Sequence, residues 1–151
     1  MKIRNGFVSN SSSSSFIALG FSIEAEEKPY KEILIALGSS EEEIDKLIKE
    51  EKEKYDWYEE FMVREALDSK IYDLGEEKGI RILYGSEDGV KEDDKVIAAI
   101  IEETDSDGSY YFPPGEIMLN DSNQYYRKIM ELHNALSSKS PIRILYGTRS
   151  C

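Results

Sequence analysis

Ile80-Arg81-Ile82-Leu83-Tyr84-Gly85 and Ile142-Arg143-Ile144-Leu145-Tyr146-Gly147 are the same hexapeptide, I-R-I-L-Y-G, written twice in one chain. Branched apolar residues and tyrosine closed by glycine read as a short strand. Each copy follows a helical pattern through a turn. Before the first, Tyr58, Phe61, Met62, Ala66 and Leu67 recur at helical spacing, the helix ends near Leu74-Gly75, and Gly79 opens the next element. Before the second, Asp121 or Ser122 is expected to cap a helix with the stripe Tyr125, Ile129, Leu132 and Leu136, and Pro141 leads into the strand. Two helix-to-strand units predict helices packed on a sheet, with both copies in that one sheet. The repeat also allows two equivalent half-sites, Arg81/Tyr84 matched by Arg143/Tyr146. The simpler reading, two units that share a strand sequence, is preferred.

Outward from the repeat, Lys95 to Glu103 holds Val96-Ile97-Ala98-Ala99-Ile100-Ile101, a central strand by its branched content. Asp107-Gly108 signals a turn, with Tyr110-Tyr111-Phe112 returning as a strand and Pro113-Pro114 breaking it. Phe16 to Ile23 reads as a first, mostly buried strand. Pro29 suits the first turn of a helix running to Leu37 and stopped by Gly38. Ser40 with Glu43 is a capping-box pattern that opens a second helix, and a separate helix is expected from Asp56. The sum is a single domain of α/β or α+β class, with a mixed sheet of about four to five strands and about four helices. The expected core is Phe16, Ile17, Leu19, Ile44, Leu47, Phe61, Ile82, Val96, Ile100, Ile129, Leu132 and Ile144.

A chain of 151 residues suits one domain with one core. Its formal charge is −12, concentrated in the middle: residues 24–60 carry 14 acids against 6 bases. Such a field repels phosphate backbones, whose binding relies on Lys and Arg, so direct nucleic-acid or anionic-membrane binding is not expected. The same field speeds encounter with a basic partner. No apolar run is long enough to span a bilayer, and the serine-rich opening lacks the apolar segment of an export signal, so the cytoplasm of a host cell is the expected location. The one cysteine, Cys151, rules out an intrachain disulfide and a cysteine-based zinc site.

No motif carries catalysis. His133 is the only histidine and reads as a helical boundary residue; there is no G-x-S-x-G and no Walker A pattern. Glu103, Asp105 and Asp107, alternating before Gly108, echo the first half of a calcium loop and are the candidate ligands for Ca2+ or Mg2+. Two features depart from that pattern: the twelfth position is Pro114, and the flanks read as strands. No other cofactor is expected. Aromatic residues beside acids, Tyr55, Trp57 and Tyr58, and Tyr110 and Tyr111, have the profile of interface centres.

The serine tract is the most distinctive stretch. Residues 1–15 form a serine-rich arm; Phe7-Val8 within it and Phe16-Ile17 just after it bracket the serines, so the arm is expected to be anchored rather than trailing. Ser11, Ser12 and Ser13 are the candidate sites of a modification or small-anion contact. The opening K-I-R-N-G-F-V-S-N-S-S-S-S-S-F-I resembles the N-terminus of many small uncharacterised proteins of phages and other prokaryotic mobile elements. That resemblance covers about the first 17 of 151 residues. It implies a phage or prophage origin and transfers no catalytic residue. The functional expectation is a non-enzymatic acidic accessory protein that binds a host or phage protein with a basic surface, by charge mimicry of nucleic acid in one version. The alternatives are a divalent-metal-dependent enzyme or ligand-binding domain built on the 103–108 loop, and a virion-associated structural protein.

Overall fold

The computed structural model describes residues 13–54, 59–85, 88, 90–91, 94–106 and 115–150. They form β1 (Ser13–Ser22), α1 (Glu27–Ala36), α2 (Glu41–Lys54), α3 (Glu59–Glu76), β2 (Ile80–Tyr84), β3 (Lys95–Ser106), α4 (Gln124–Ala135) and β4 (Arg143–Ser150). The strands make one sheet in the order β2-β3-β1-β4. Every pairing is antiparallel, where the sequence had allowed a mixed sheet, and the class is α+β. In this order β3 lies between β1 and β2, and β1 lies between β3 and β4. The described elements are therefore two split β-α-β halves, the ferredoxin-like connectivity, with three described helices in the first crossover and one in the second.

Local chemistry sets the element ends. Ser40 and Glu43 form the reciprocal capping box: the Glu43 amide donates to Ser40 Oγ at 3.1 Å and the Ser40 amide to Glu43 Oε1 at 3.1 Å. α1 stops at Gly38, whose φ of 105° suits glycine. α4 is capped by Asn123, whose side chain accepts from the Tyr125 and Tyr126 amides, and not by Asp121 or Ser122. Those two lie in a turn led by Asn120, whose Oδ1 takes the Ser122 amide at 2.9 Å.

The sheet alternates between two faces, as the pleat requires. On the helix face, Leu19, Phe21, Ile80, Ile97 and Ala99 pack with Ile33, Leu34, Ile44, Val63, Leu67, Ile71, Ile129 and Leu132. On the other face, Phe16, Ala18, Leu83, Val96 and Ala98 form a second cluster with Val90, Ile100 and Leu145. Gly75 lets α3 lie on the start of β2, because a Cβ there would collide with the Ile80 carbonyl oxygen. α3 lies over β2, α4 over β3 and β1, and α1 bridges α3 and α4; α2 packs outside on α3 and α1, and β4 meets only β1 among these elements.

Two expected core residues are exposed. Ile144 is 44% exposed because no described helix covers β4, and Phe61 is 51% exposed because it borders a cleft. Ile17, Leu47, Ile82 and Ile100 are half-buried, and the remaining expected core residues are buried.

Both I-R-I-L-Y-G copies lie in the one sheet, as expected, and they occupy its two edges. Arg81 on β2 stands opposite Ala98 on β3, Ala98 pairs with Gly20 on β1, and Gly20 pairs with Arg143 on β4. One row thus crosses all four strands with the same arginine of each copy at its ends, the registry of a pseudo-two-fold that exchanges the halves. Of the serine arm, Ser13 to Ser15 enter β1 and pair with both β3 and β4, Ser13 standing opposite Ser106 and Ser150. No helix among the described residues is long and apolar enough to cross a membrane.

Candidate functional site

β1 and β2 finish at the same end of the sheet at which β3 and β4 begin. Two clefts open there, one on each side of the β1–α1 connection. Ala25 and Tyr30 line one; Ile23, Glu24, Glu26 and Pro29 line the other. Neighbouring residues of a short segment therefore face different sites, and α1 is the wall between them.

The first cleft encloses about 420 Å³. α3 supplies Phe61, Arg64, Glu65 and Asp68, whose spacing places them on one helix face. Tyr30 comes from α1, Tyr84 from the last position of β2, and Lys95 from the first of β3. The hydroxyls of Tyr30 and Tyr84 are 2.9 Å apart. The Asp68 carboxyl neighbours the Tyr84 hydroxyl, which favours its charged form. Burial pushes the Asp68 carboxyl above its ordinary range, the Tyr84 hydroxyl opposes that rise, and the neighbouring charges of Glu65 and Asp88 add to it. Burial raises both phenols as well, Tyr84 well beyond the usual phenol range with further contributions from Tyr30 and Asp68. Both hydroxyls therefore keep their protons. Lys95 Nζ lies 5.9 Å from the centre of the Tyr84 ring, a cation–π distance. The Tyr84 amide donates to Asp88 Oδ2 at 2.8 Å, which fixes the end of β2 from the loop side.

The second cleft is a groove of about 290 Å³ between the β1–α1 connection and the α4–β4 connection. Ile23, Pro29 and Leu136 give it apolar surface, Glu24, Glu26 and Glu32 bring carboxylates against one Lys28, and Ser138 and Ser140 add hydroxyls. Its floor is braced from the opposite face of the sheet. Ser22 Oγ donates to Asp94 Oδ1 at 2.7 Å and accepts from Arg143 Nη2 at 2.8 Å, while the same guanidinium lies 3.3 Å from Asp94 Oδ2. His133 is a boundary residue, its Nε2 2.8 Å from the Ser140 carbonyl oxygen and its ring edge-on to Phe21 at 4.9 Å.

Of the residues singled out from sequence, Tyr84 lines the first cleft. Tyr55, Trp57, Tyr58, Tyr110, Tyr111, Asp107, Ser11 and Ser12 lie outside the described residues. Ser13 is a strand residue at the start of β1, and Asp105 stands in β3 opposite Ser14. Glu103 faces Arg81, which holds it with Nη2 at 3.1 Å from Oε1 and Nη1 at 3.3 Å from Oε2. Among the described residues no group of three or more His, Cys, Asp or Glu is arranged to hold a metal ion.

The two copies of the repeat do not build equivalent half-sites. Tyr84 is inside the first cleft and Tyr146 is 78% exposed on β4; Arg81 pairs with Glu103 and Arg143 with Asp94. The residues the sequence reading missed are Tyr30, Arg64, Glu65, Asp68 and Lys95. One signal was available: a run in which polar residues share the helix face of Phe61, where a core-facing stripe would be apolar. Comparison with protein-family models, with curated proteins and with solved structures finds no match for this chain.

Proposed function

We propose that this chain is a non-enzymatic binding module for a host or phage protein with a basic surface, and that the groove beside the β1–α1 connection takes up a Lys or Arg side chain of that partner. The observation that carries the reading is the groove's make-up: Glu24, Glu26 and Glu32 around Ile23, Pro29 and Leu136. A Lys or Arg side chain has an apolar stem and a charged head, and buries the one while its head stays beside acceptors. The surrounding field adds attraction at longer range, since the whole chain carries −12 and much of the excess acid lies in residues 24–60. The exposed acids of α2 extend that field, because α2 packs only on other helices and leaves its outer face to solvent. The N-terminal resemblance supports the phage setting of the partner.

The test uses a fluorescent peptide with alternating Arg and Gly, and a matched peptide with citrulline in place of Arg. The Arg peptide is expected to bind, and to weaken as sodium chloride rises, because exposed ionic contacts are screened. The triple variant Glu24→Gln, Glu26→Gln, Glu32→Gln is expected to lower its affinity by roughly tenfold, a few rim ion pairs at about 0.2–1 kcal/mol each. Equal binding of the citrulline peptide, or unchanged affinity in the triple variant, rejects the groove as the contact.

A further inference from the structure

The cleft between α1, α3 and the ends of β2 and β3 holds four charged side chains that do not neutralise one another. Arg64 and Asp68 are one helical turn apart on α3, the spacing at which opposite charges normally pair. Among the described residues they form no ion pair, and neither Glu65 nor Lys95 forms one. Lys95 sits over the Tyr84 ring, and Asp68 has the Tyr84 hydroxyl as its neighbour. Two acids and two bases thus line one cavity of about 420 Å³, within the ordinary size range of small-molecule sites.

The protons of the cluster can be counted. Each phenol has one hydroxyl proton. Where the Tyr84 hydroxyl turns its proton to an ionised Asp68, Tyr84 accepts from Tyr30 across the 2.9 Å contact. Both hydroxyl protons are then used, and what remains on Tyr30 and Asp68 is acceptor capacity. A group that binds there brings its own protons, as an ammonium does. Arg64 and Lys95 offer only donors, and suit a carboxylate. Phe61, an aromatic ring 51% exposed at the same cleft, and Ala25 provide apolar surface beside both.

We infer that this cleft is a binding site for a small zwitterion of the α-amino acid type, with its ammonium on Asp68 and Tyr30, its carboxylate on Arg64 and Lys95, and an apolar side chain against Phe61. A ligand that brings one ammonium and one carboxylate satisfies both pairs at once. A simple anion leaves Asp68 and Glu65 against it, and a simple cation leaves Arg64 and Lys95. This site is separate from the acidic groove and stands or falls independently of it.

The experiment is isothermal titration of the full chain with L-phenylalanine, L-leucine and L-methionine, and with two truncated probes: 2-phenylethylamine, which lacks the carboxylate, and 3-phenylpropionate, which lacks the ammonium. At least one of the amino acids is expected to bind, and both truncated probes at least tenfold more weakly than L-phenylalanine. Lys95→Met is expected to lower the affinity for L-phenylalanine several-fold while leaving that for 2-phenylethylamine unchanged; Asp68→Asn is expected to act on the ammonium side in the same way. If Asp68→Asn does not fold, Lys95→Met and the truncated probes decide. No binding of any of the three amino acids at millimolar concentration overturns the inference. So does equal affinity for a truncated probe, or loss of affinity for 2-phenylethylamine in Lys95→Met.

Discussion

The two edges of the sheet carry the same six residues and meet different surroundings. On β2, Ile80 is 2% exposed and Leu83 1%, and Tyr84 is half-buried in a cleft; on β4, Ile144 is 44% exposed and Tyr146 78%. The register of the two copies is the same, with Arg81 and Arg143 ending one row of the sheet. On the helix face their environments differ because α3 covers β2 and no described helix covers β4; on the other face Leu83 is buried in the cluster with Phe16, Ala18, Val96 and Ala98, which Leu145 only borders. Among the described residues the first crossover has three helices to lay over its half and the second has one, and α4 is spent on β3 and β1. A duplicated strand therefore became a wall of a polar cleft on one edge and a solvent-facing strand on the other. Identical sequence in identical register fixes backbone pairing; it does not fix what the side chains meet.

Matched substitutions in the two copies break the comparison most sharply where burial differs most. Leu83→Ala is expected to cost about 2–5 kcal/mol, the range for deleting a buried leucine, and Leu145→Ala distinctly less, because Leu145 is only half-buried. Urea unfolding of the two variants measures the gap; equal losses would mean that the two edges are equally covered on the face away from the helices. Next in size is the tyrosine pair. Tyr84→Phe removes the hydroxyl beside Asp68 and the partner of Tyr30, and is expected to cost about 1–3 kcal/mol. Tyr146→Phe is expected to stay within about 0.5 kcal/mol, as exposed substitutions do.

The smallest effect is one of pH. Burial holds Asp68 above its ordinary value of 3.8, so the folded chain binds a proton more tightly there than the unfolded chain. The contribution of Asp68 to stability is thus full below that value and is lost as the pH rises through its folded pKa. Unfolding measured against pH is expected to show the stability of the wild type falling relative to Asp68→Asn over this interval. A difference that is flat with pH would show that burial does not disturb the carboxyl.

Much of the fold was legible in local chemistry. The capping box at Ser40 and Glu43, the glycine stop at Gly38 and the branched run from Val96 to Ile101 each act within a few residues, and each lies where the sequence placed it. The cap of α4 was misplaced by one or two positions, because Asn120, Asp121, Ser122 and Asn123 are all capable caps and the winner depends on the turn that Asn120 closes. The site was hardly legible. Tyr30, Asp68, Tyr84 and Lys95 come from four elements, and nothing in their spacing along the chain brings them together. Phe61 was read as core because an aromatic at helical spacing normally is; the structure puts it at the cleft mouth with Arg64 and Glu65.

The sequence by itself determined the secondary elements, the acidic field and the presence of a duplicated strand, since each depends on side-chain period, charge count or residue identity over short stretches. Tertiary structure decided the strand order β2-β3-β1-β4, the choice of which copy of I-R-I-L-Y-G is covered, and the meeting of Tyr30, Tyr84 and Asp68. These depend on which surfaces bury one another at long range. That outcome is a balance over the whole core, and no single segment carries it.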